Sequence, residues 1–232
     1  MTTSKLLFVL FLAALVRMDC SADTIYQVAL NTTSLVGNAD APFAIDFQLN
    51  SGNTSSGVVN RALLSQFSFG TGGNPGSGRP FPNSGNSSGS LASTVSLSTT
   101  GGSFFDEFSQ YFTPGDNLSF ALDLTTNAQS SASPDEFTFE LIDKTGGQIS
   151  TTDPSGSGAL IVIDITGVNL QPQVYTTDGD GVTITPQIAA QVSSVPEPPA
   201  KGFLATVVIV TSALVFCRQR KSVLLQTKRK KA

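Results

Sequence analysis

Apolar residues recur at every second position over much of this chain, and that period decides what it can fold into. Phe43, Ile45, Phe47 and Leu49 alternate with Ala44, Asp46, Gln48 and Asn50. Leu118, Phe120, Leu122 and Leu124 alternate with Ser119, Ala121, Asp123 and Thr125. Phe137, Phe139 and Leu141 repeat the pattern, as do Tyr26, Val28 and Leu30. Successive side chains on a strand point to opposite faces, so each run reads as a half-buried antiparallel strand. Residues 160–165 are more continuously apolar and are expected nearer the middle of a sheet. Polar clusters punctuate the runs: Ser51-Gly52-Asn53-Thr54, Asp143-Lys144-Thr145-Gly146-Gly147 and Asp153-Pro154-Ser155-Gly156. Their Gly, Asn, Asp and Pro residues suit turns. Helical spacing is confined to Ser103-Phe104-Phe105-Asp106-Glu107-Phe108, read as one short helix capped by Ser103 with its phenylalanines on one face. The expected fold is all-β: an antiparallel sandwich or jelly roll with one short helix. Residues 70–90, rich in Gly, Ser, Asn and Pro, read as a long surface loop.

The body of the chain carries no thiol and no imidazole. The sequence has no histidine, and its two cysteines, Cys20 and Cys217, lie near the ends. That excludes cysteine–histidine nucleophiles, the Ser-His-Asp triad and ordinary zinc sites in the body. It also leaves the fold to stand on its hydrophobic core without a disulfide. Charge is scarce, at 13% of residues, and it is segregated. Between Asp23 and Ala200 there are sixteen acids and three bases, Arg61, Arg79 and Lys144. So acidic a body repels nucleic acid and anionic lipid, and no nucleic-acid partner is expected.

Both ends read as targeting segments. Lys5 precedes an unbroken apolar run over residues 6–16, followed by Cys20-Ser21-Ala22. Residues 1–22 therefore have the layout of a secretory signal helix, for the Sec machinery and signal peptidase, and are too short in apolar length to span a bilayer. At the other end, Ser193-Ser194-Val195-Pro196-Glu197-Pro198-Pro199 is a stiff spacer, because proline fixes its own φ and restricts its predecessor. Residues 202–217 follow without a charge. As a helix they reach about 24 Å, a short transmembrane span with Lys201 and Arg218 at its interfaces. Arg218, Arg220 and Lys221, and the basic tail over 222–232, hold that end in the cytoplasm and the body outside.

This three-part tail, 193–221, resembles the PEP-CTERM sorting signal of exopolysaccharide-producing Gram-negative bacteria. The matching parts are the motif at 195–198, the apolar span 202–217 and the basic stop at 218–221. The resemblance implies an exosortase, a membrane transpeptidase, as partner, with Pro196, Glu197 and Pro198 as recognition residues. A proline-flanked carboxylate is a low-entropy peptide for such an enzyme to bind. Pro199 stands where that pattern commonly has Ser or Thr, and the tail beyond Lys221 is long. The region 23–192 also resembles the body of an uncharacterised group of PEP-CTERM surface proteins. The shared stretches are Asp23-Thr24-Ile25-Tyr26-Gln27-Val28, residues 42–50, Phe104-Phe105-Asp106-Glu107-Phe108 and residues 151–156. The implied itinerary is an exported, inner-membrane-anchored precursor that ends at the cell surface or in an extracellular matrix.

Within the body the candidate sites are sparse. Asp178-Gly179-Asp180-Gly181 offers two carboxylates to calcium, with Asp178 and Asp180 as the ligands; a plain acidic turn is the simpler reading. The adjacent pairs Asp106–Glu107 and Asp135–Glu136 read as solvated surface acids, since strand neighbours point to opposite faces while glycosidases need two facing carboxyls. There is no Trp, and phenylalanine dominates the aromatics, which leaves Tyr111, Tyr175 and Phe81 as the residues for a sugar-stacking platform. The expected function is a non-enzymatic surface or matrix component without a cofactor, retained among exopolysaccharide. A carbohydrate-binding module, with or without calcium, and a carboxylate-pair hydrolase are the alternatives.

Overall fold

The computed structural model describes residues 23–55, 57–127, 133–167, 170–179 and 181–191. The signal helix over 1–22 and the sorting segment from residue 193 onward lie outside them. Twelve strands run through the described residues: β1 (Asp23–Asn31), β2 (Phe43–Asn50), β3 (Arg61–Ser68), β4 (Asn74–Pro75), β5 (Ser88–Gly89), β6 (Val95–Ser98), β7 (Phe105–Thr113), β8 (Asn117–Thr125), β9 (Asp135–Ile142), β10 (Ala159–Ile165), β11 (Gln173–Val174) and β12 (Gln187–Gln191). They form two six-stranded sheets, β12-β1-β8-β3-β6-β5 and β11-β10-β9-β2-β7-β4. Every pairing between these strands is antiparallel. The body is an all-β sandwich with almost no helix; the two helical elements are single 3-10 turns, Thr33–Leu35 and Thr100–Gly102.

The alternating runs lie where the sequence places them. In β2 the residues Phe43, Ile45, Phe47 and Leu49 are fully buried, and in β8 Leu118, Phe120, Leu122 and Leu124 are too. Phe120 joins the sheets: its ring meets Phe47 of β2 and Phe139 of β9, each at a centroid distance of 5.3 Å and edge-on. Burying such a ring contributes roughly 2–3 kcal/mol, and edge-to-face pairs add about 1 more. One continuous apolar cluster draws on both sheets.

A bulge tunes this core. Ser65 faces Ala121 across β3 and β8, but Ser68 faces Ser119, so β3 carries one extra residue there. Gln66 takes it up at φ 57°, a left-handed conformation that costs a non-glycine residue about 1–2 kcal/mol. The shift of parity turns Phe67 and Phe69 toward the same side as Ala62 and Leu64. Phe67 then stacks against Phe69 and tilts on Phe47.

Three expectations are corrected. The short helix at 103–108 is absent: Ser103 leaves the 3-10 turn and residues 105–113 form β7, paired with β2 from Asn50↔Phe105 to Phe43↔Phe112. The period-two pattern continues to Phe112, and the long register with β2 outweighs a six-residue helical spacing. Phe104 is 66% exposed, whereas Phe108 is buried. Residues 70–90 are no free surface loop. They form a strap along the outer edge of β7, with β4 and β5 at its ends and an isolated bridge between Ser84 and Glu107. Tyr111 N–H donates to Gly78 O at 3.1 Å, Glu107 N–H to Ser84 O at 3.2 Å, and Gln110 Nε2 to Gly76 O at 2.7 Å. The strap thereby satisfies an edge that would otherwise invite strand addition. Finally, β10 is not central but one strand from the edge, beside β11; β9 and β2 occupy the middle.

One end of the sandwich is fastened by polar groups. Asn60, wholly buried, donates from Nδ2 to Asp135 Oδ2 at 2.9 Å and to Asn127 O at 3.0 Å. Its Oδ1 accepts from Thr125 Oγ1 and Asn127 N–H, both at 3.0 Å. Its own N–H donates to Thr99 Oγ1 at 2.9 Å. Asp135 also accepts from Gly52 N–H at 2.9 Å. The side chain thus ties β8 of one sheet to β9 of the other.

Candidate functional site

The chemistry-bearing groups gather on the outer face of the β11–β4 sheet. Ile45, Phe47 and Leu49 turn β2 inward, which puts Asp46 and Gln48 on the opposite face. Phe139 and Leu141 do the same for Glu140 of β9. In the ladder Asp46 faces Ser109 of β7 on one side and Glu140 on the other. Directly opposed residues on one face have Cβ atoms about 5 Å apart.

This outer face should meet water, yet Asp46 is 1% exposed and Glu140 2%. Two segments cover them. From the β7 side comes the strap: Ser109 Oγ donates to Phe81 O at 3.2 Å, which holds Phe81 above the row containing Asp46. From the β9 side comes the hairpin after Ile142, where Ile149 N–H donates to Leu141 O at 2.8 Å and Gln148 bridges Ile142. The covers meet, since a Cβ placed on Gly146 would lie 3.5 Å from Phe81 Cε1.

Beneath the cover the carboxyls are poorly solvated. Gln48 Nε2 donates to Asp46 Oδ2 at 2.8 Å, and the Gln148 side chain hydrogen-bonds Glu140. Asp46 Oδ1 and Glu140 Oε2 are buried without a hydrogen-bond partner, as are Asn83 Oδ1 and Ser84 Oγ of the strap. Burial is the largest cause that lifts both acids. Asp46 is pushed up to about 7, with the Gln48 bond opposing and Glu107 adding repulsion. Glu140 is pushed up to about 8, where the negative charge of Asp46 adds to the cost of desolvation. The order is physically consistent: Asp46 ionises first beside a neutral Glu140, and Glu140 then ionises against an existing charge.

More acids ring the pair. Burial raises Glu107, and burial with repulsion from Asp164 and Asp153 raises Glu136. Asp153 is lowered: burial opposes the shift, but the Ser155 and Ser157 hydroxyls donate to Oδ2 at 2.5 and 2.6 Å and prevail. Among the described residues the cations are placed elsewhere. Lys144 pairs with Asp40 at 3.2 Å, Arg79 lies over the Phe108 ring at 5.9 Å, and Arg61 belongs to β3 of the other sheet.

The residues singled out from sequence fare differently. Asp178 is exposed, its backbone N–H donating to Ser150 O at 2.9 Å, and Asp180 lies outside the described residues. Among the described residues no group of three or more acids, histidines or cysteines is placed to hold a metal ion. Asp106 and Asp135 are corrected from surface acids to wholly buried ones. Asp135 meets Asn60 and Gly52, as above. Asp106 accepts from Asn86 N–H and so pins the strap, beside Gly85 at φ 59°. Their neighbours Glu107 and Glu136 are half-buried on the opposite face, as strand alternation demands. The aromatic trio forms no single platform. Phe81 and Tyr111 sit at the strap, while Tyr175 follows β11, four strand spacings or about 19 Å from β7. Pro196, Glu197, Pro198, Arg218, Arg220 and Lys221 lie outside the described residues. Among the described residues no helix is long and apolar enough to cross a membrane.

The facing pair Asp46–Glu140 escaped the sequence reading. Each sits at the polar position of an amphipathic strand, where an acid normally faces solvent. The available signal was position alone: each is flanked on both sides by core residues. Covered as they are, the two carboxyls are closed to a substrate, and what they can hold is protons. No protein-family model, no curated protein and no solved structure matches this chain.

Proposed function

We propose that the chain is an exported, non-enzymatic surface or extracellular-matrix component, sorted by an exosortase at its Pro196-Glu197-Pro198 motif. The observation that carries the reading is the segregation of charge around the C-terminal segment. Sixteen uncharged residues, 202–217, separate an acidic body from Arg218, Arg220 and Lys221. Cations of that density resist translocation, so the body is held outside. The sandwich supports this reading in two ways. Among the described residues its last strand ends at Gln191, two positions before the proline-rich stretch 193–199 of the sequence. Its core is free of thiols and imidazoles, as suits a domain that folds outside the cytoplasm without redox chemistry. Successive strands from β1 to β4 change sheet each time, which favours a jelly-roll arrangement of the sandwich.

The test is mass spectrometry of the mature termini in cells that carry an exosortase. Wild type is expected to lose residues 1–22 and to be cut at or near 195–198. Glu197→Ala is expected to accumulate as the uncut, membrane-held precursor. Identical mature termini in wild type and variant would overturn the sorting reading.

A further inference from the structure

The Asp46–Glu140 pair has no part in sorting, and its setting is unusual. Two acids from adjacent strands face each other under a cover, each with a buried oxygen that has no partner. The cover consists of two surface segments that meet where Phe81 lies beside Gly146. Both segments lie at the surface outside the strands they cover, and such segments open more readily than the core strands beneath.

We propose that Asp46 and Glu140 form a proton-operated latch: while they hold protons the Phe81 strap and the Gln148 hairpin close over them, and loss of those protons releases both segments to admit water. The charged groups that act on the pair push one way: Glu107 of β7 repels both acids and Asp153 of the hairpin repels Glu140, with only the hydrogen bonds from Gln48 and Gln148 opposing. Glu136 of β9 and Asp164 of β10 add acid beside them. Of the nearby cations, Lys144 is engaged with Asp40 and Arg79 with Phe108. Ionisation under the closed cover therefore meets desolvation and repulsion, with no counter-charge beside the pair among the described residues. Opening the cover relieves both, because hydration screens the charges.

The sign of the effect follows from the raised values near 7 and 8. Below pH about 4 both acids are neutral whether the cover is open or closed, and the latch is shut. Above that, each proton lost on opening makes the open state about tenfold more populated per pH unit. The curve levels off only where the closed form also ionises.

The experiment is amide hydrogen exchange on the full chain between pH about 5 and about 9, corrected for intrinsic exchange. The reporters are Tyr111, whose N–H bonds Gly78, and Ile149, whose N–H bonds Leu141; core amides of β8 serve as the reference. In wild type the reporters are expected to lose tenfold or more protection between pH about 6 and about 8 while remaining far less protected than β8, which reports global unfolding. Asp46→Asn and Glu140→Gln are expected to remove most of that loss. The same loss in wild type and both variants would overturn the latch. So would recovery of protection at high pH on adding calcium, which would make the pair a cation site. Should both variants fail to fold, infrared spectroscopy of wild type decides. A protonated-carboxyl band persisting at pH about 6 and vanishing by pH about 9 is expected, and its absence at pH about 6 would overturn the proposal.

Discussion

Two buried polar nodes in this sandwich have been resolved in opposite ways. Around Asn60 every side-chain oxygen and nitrogen finds a partner, and Asp135 is met by an amide side chain and a backbone N–H. Around Asp46 and Glu140, equally removed from water, an oxygen on each carboxyl is left without a bond. Asn60 supplies donors to its acid, whereas Asp46 and Glu140 are two acceptors set against each other. A buried acid stays charged at little cost when donors converge on it, and otherwise keeps a proton. The first node is therefore a structural fastener, and the second is a titratable weakness.

The contrast can be broken by substitution. The largest effect is expected at the satisfied node. Asn60→Ala removes the side chain from four hydrogen bonds and leaves Asp135 a buried acid short of a donor, at a cost of about 3 kcal/mol. Urea unfolding should show that loss; a loss below about 1 kcal/mol would mean that the node does not fasten the sheets.

The second prediction has the opposite sign. Glu140, raised to about 8 in the fold, titrates near 4.5 when unfolded, so the unfolded chain gives up its proton first. The stability this acid allows is complete below pH about 4 and falls as pH rises toward about 8, where the folded form also ionises. Glu140→Gln should escape that fall. At pH about 9 the variant is expected to be more stable than wild type by roughly 2 kcal/mol, and at pH about 4 no more stable. Parallel stability–pH curves for the two proteins would erase the distinction between the nodes. The smallest effect is expected far from both: Gln66→Gly relaxes the left-handed bulge residue and should gain at most about 1 kcal/mol, read from the same unfolding curves.

The strands were legible because their signal is local. Ile45, Phe47 and Leu49 in β2, or Phe137, Phe139 and Leu141 in β9, announce strand and face by alternation alone. The same local rule misled at Phe104, Phe105 and Phe108, where helical spacing in a short window hid a strand that only the register with β2 reveals. It misled again at 70–90, whose Gly, Ser and Asn content describes flexibility and not the β7 edge that captures it. The acid pair could not be read for a related reason. Asp46 and Glu140 are 94 positions apart, and nothing near either one tells that Phe81 and Gln148 will close above them.

By itself the sequence determined the class of fold, the apolar face of each strand, the acidity of the body and the separation of its charges from the basic tail. Each of these follows from neighbours along the chain, through side-chain alternation and the count of charges. The tertiary structure alone decided which polar positions water reaches. Solvation at one residue depends on what other segments lay over it, and the strap and the hairpin bury two acids on a face that was patterned for solvent.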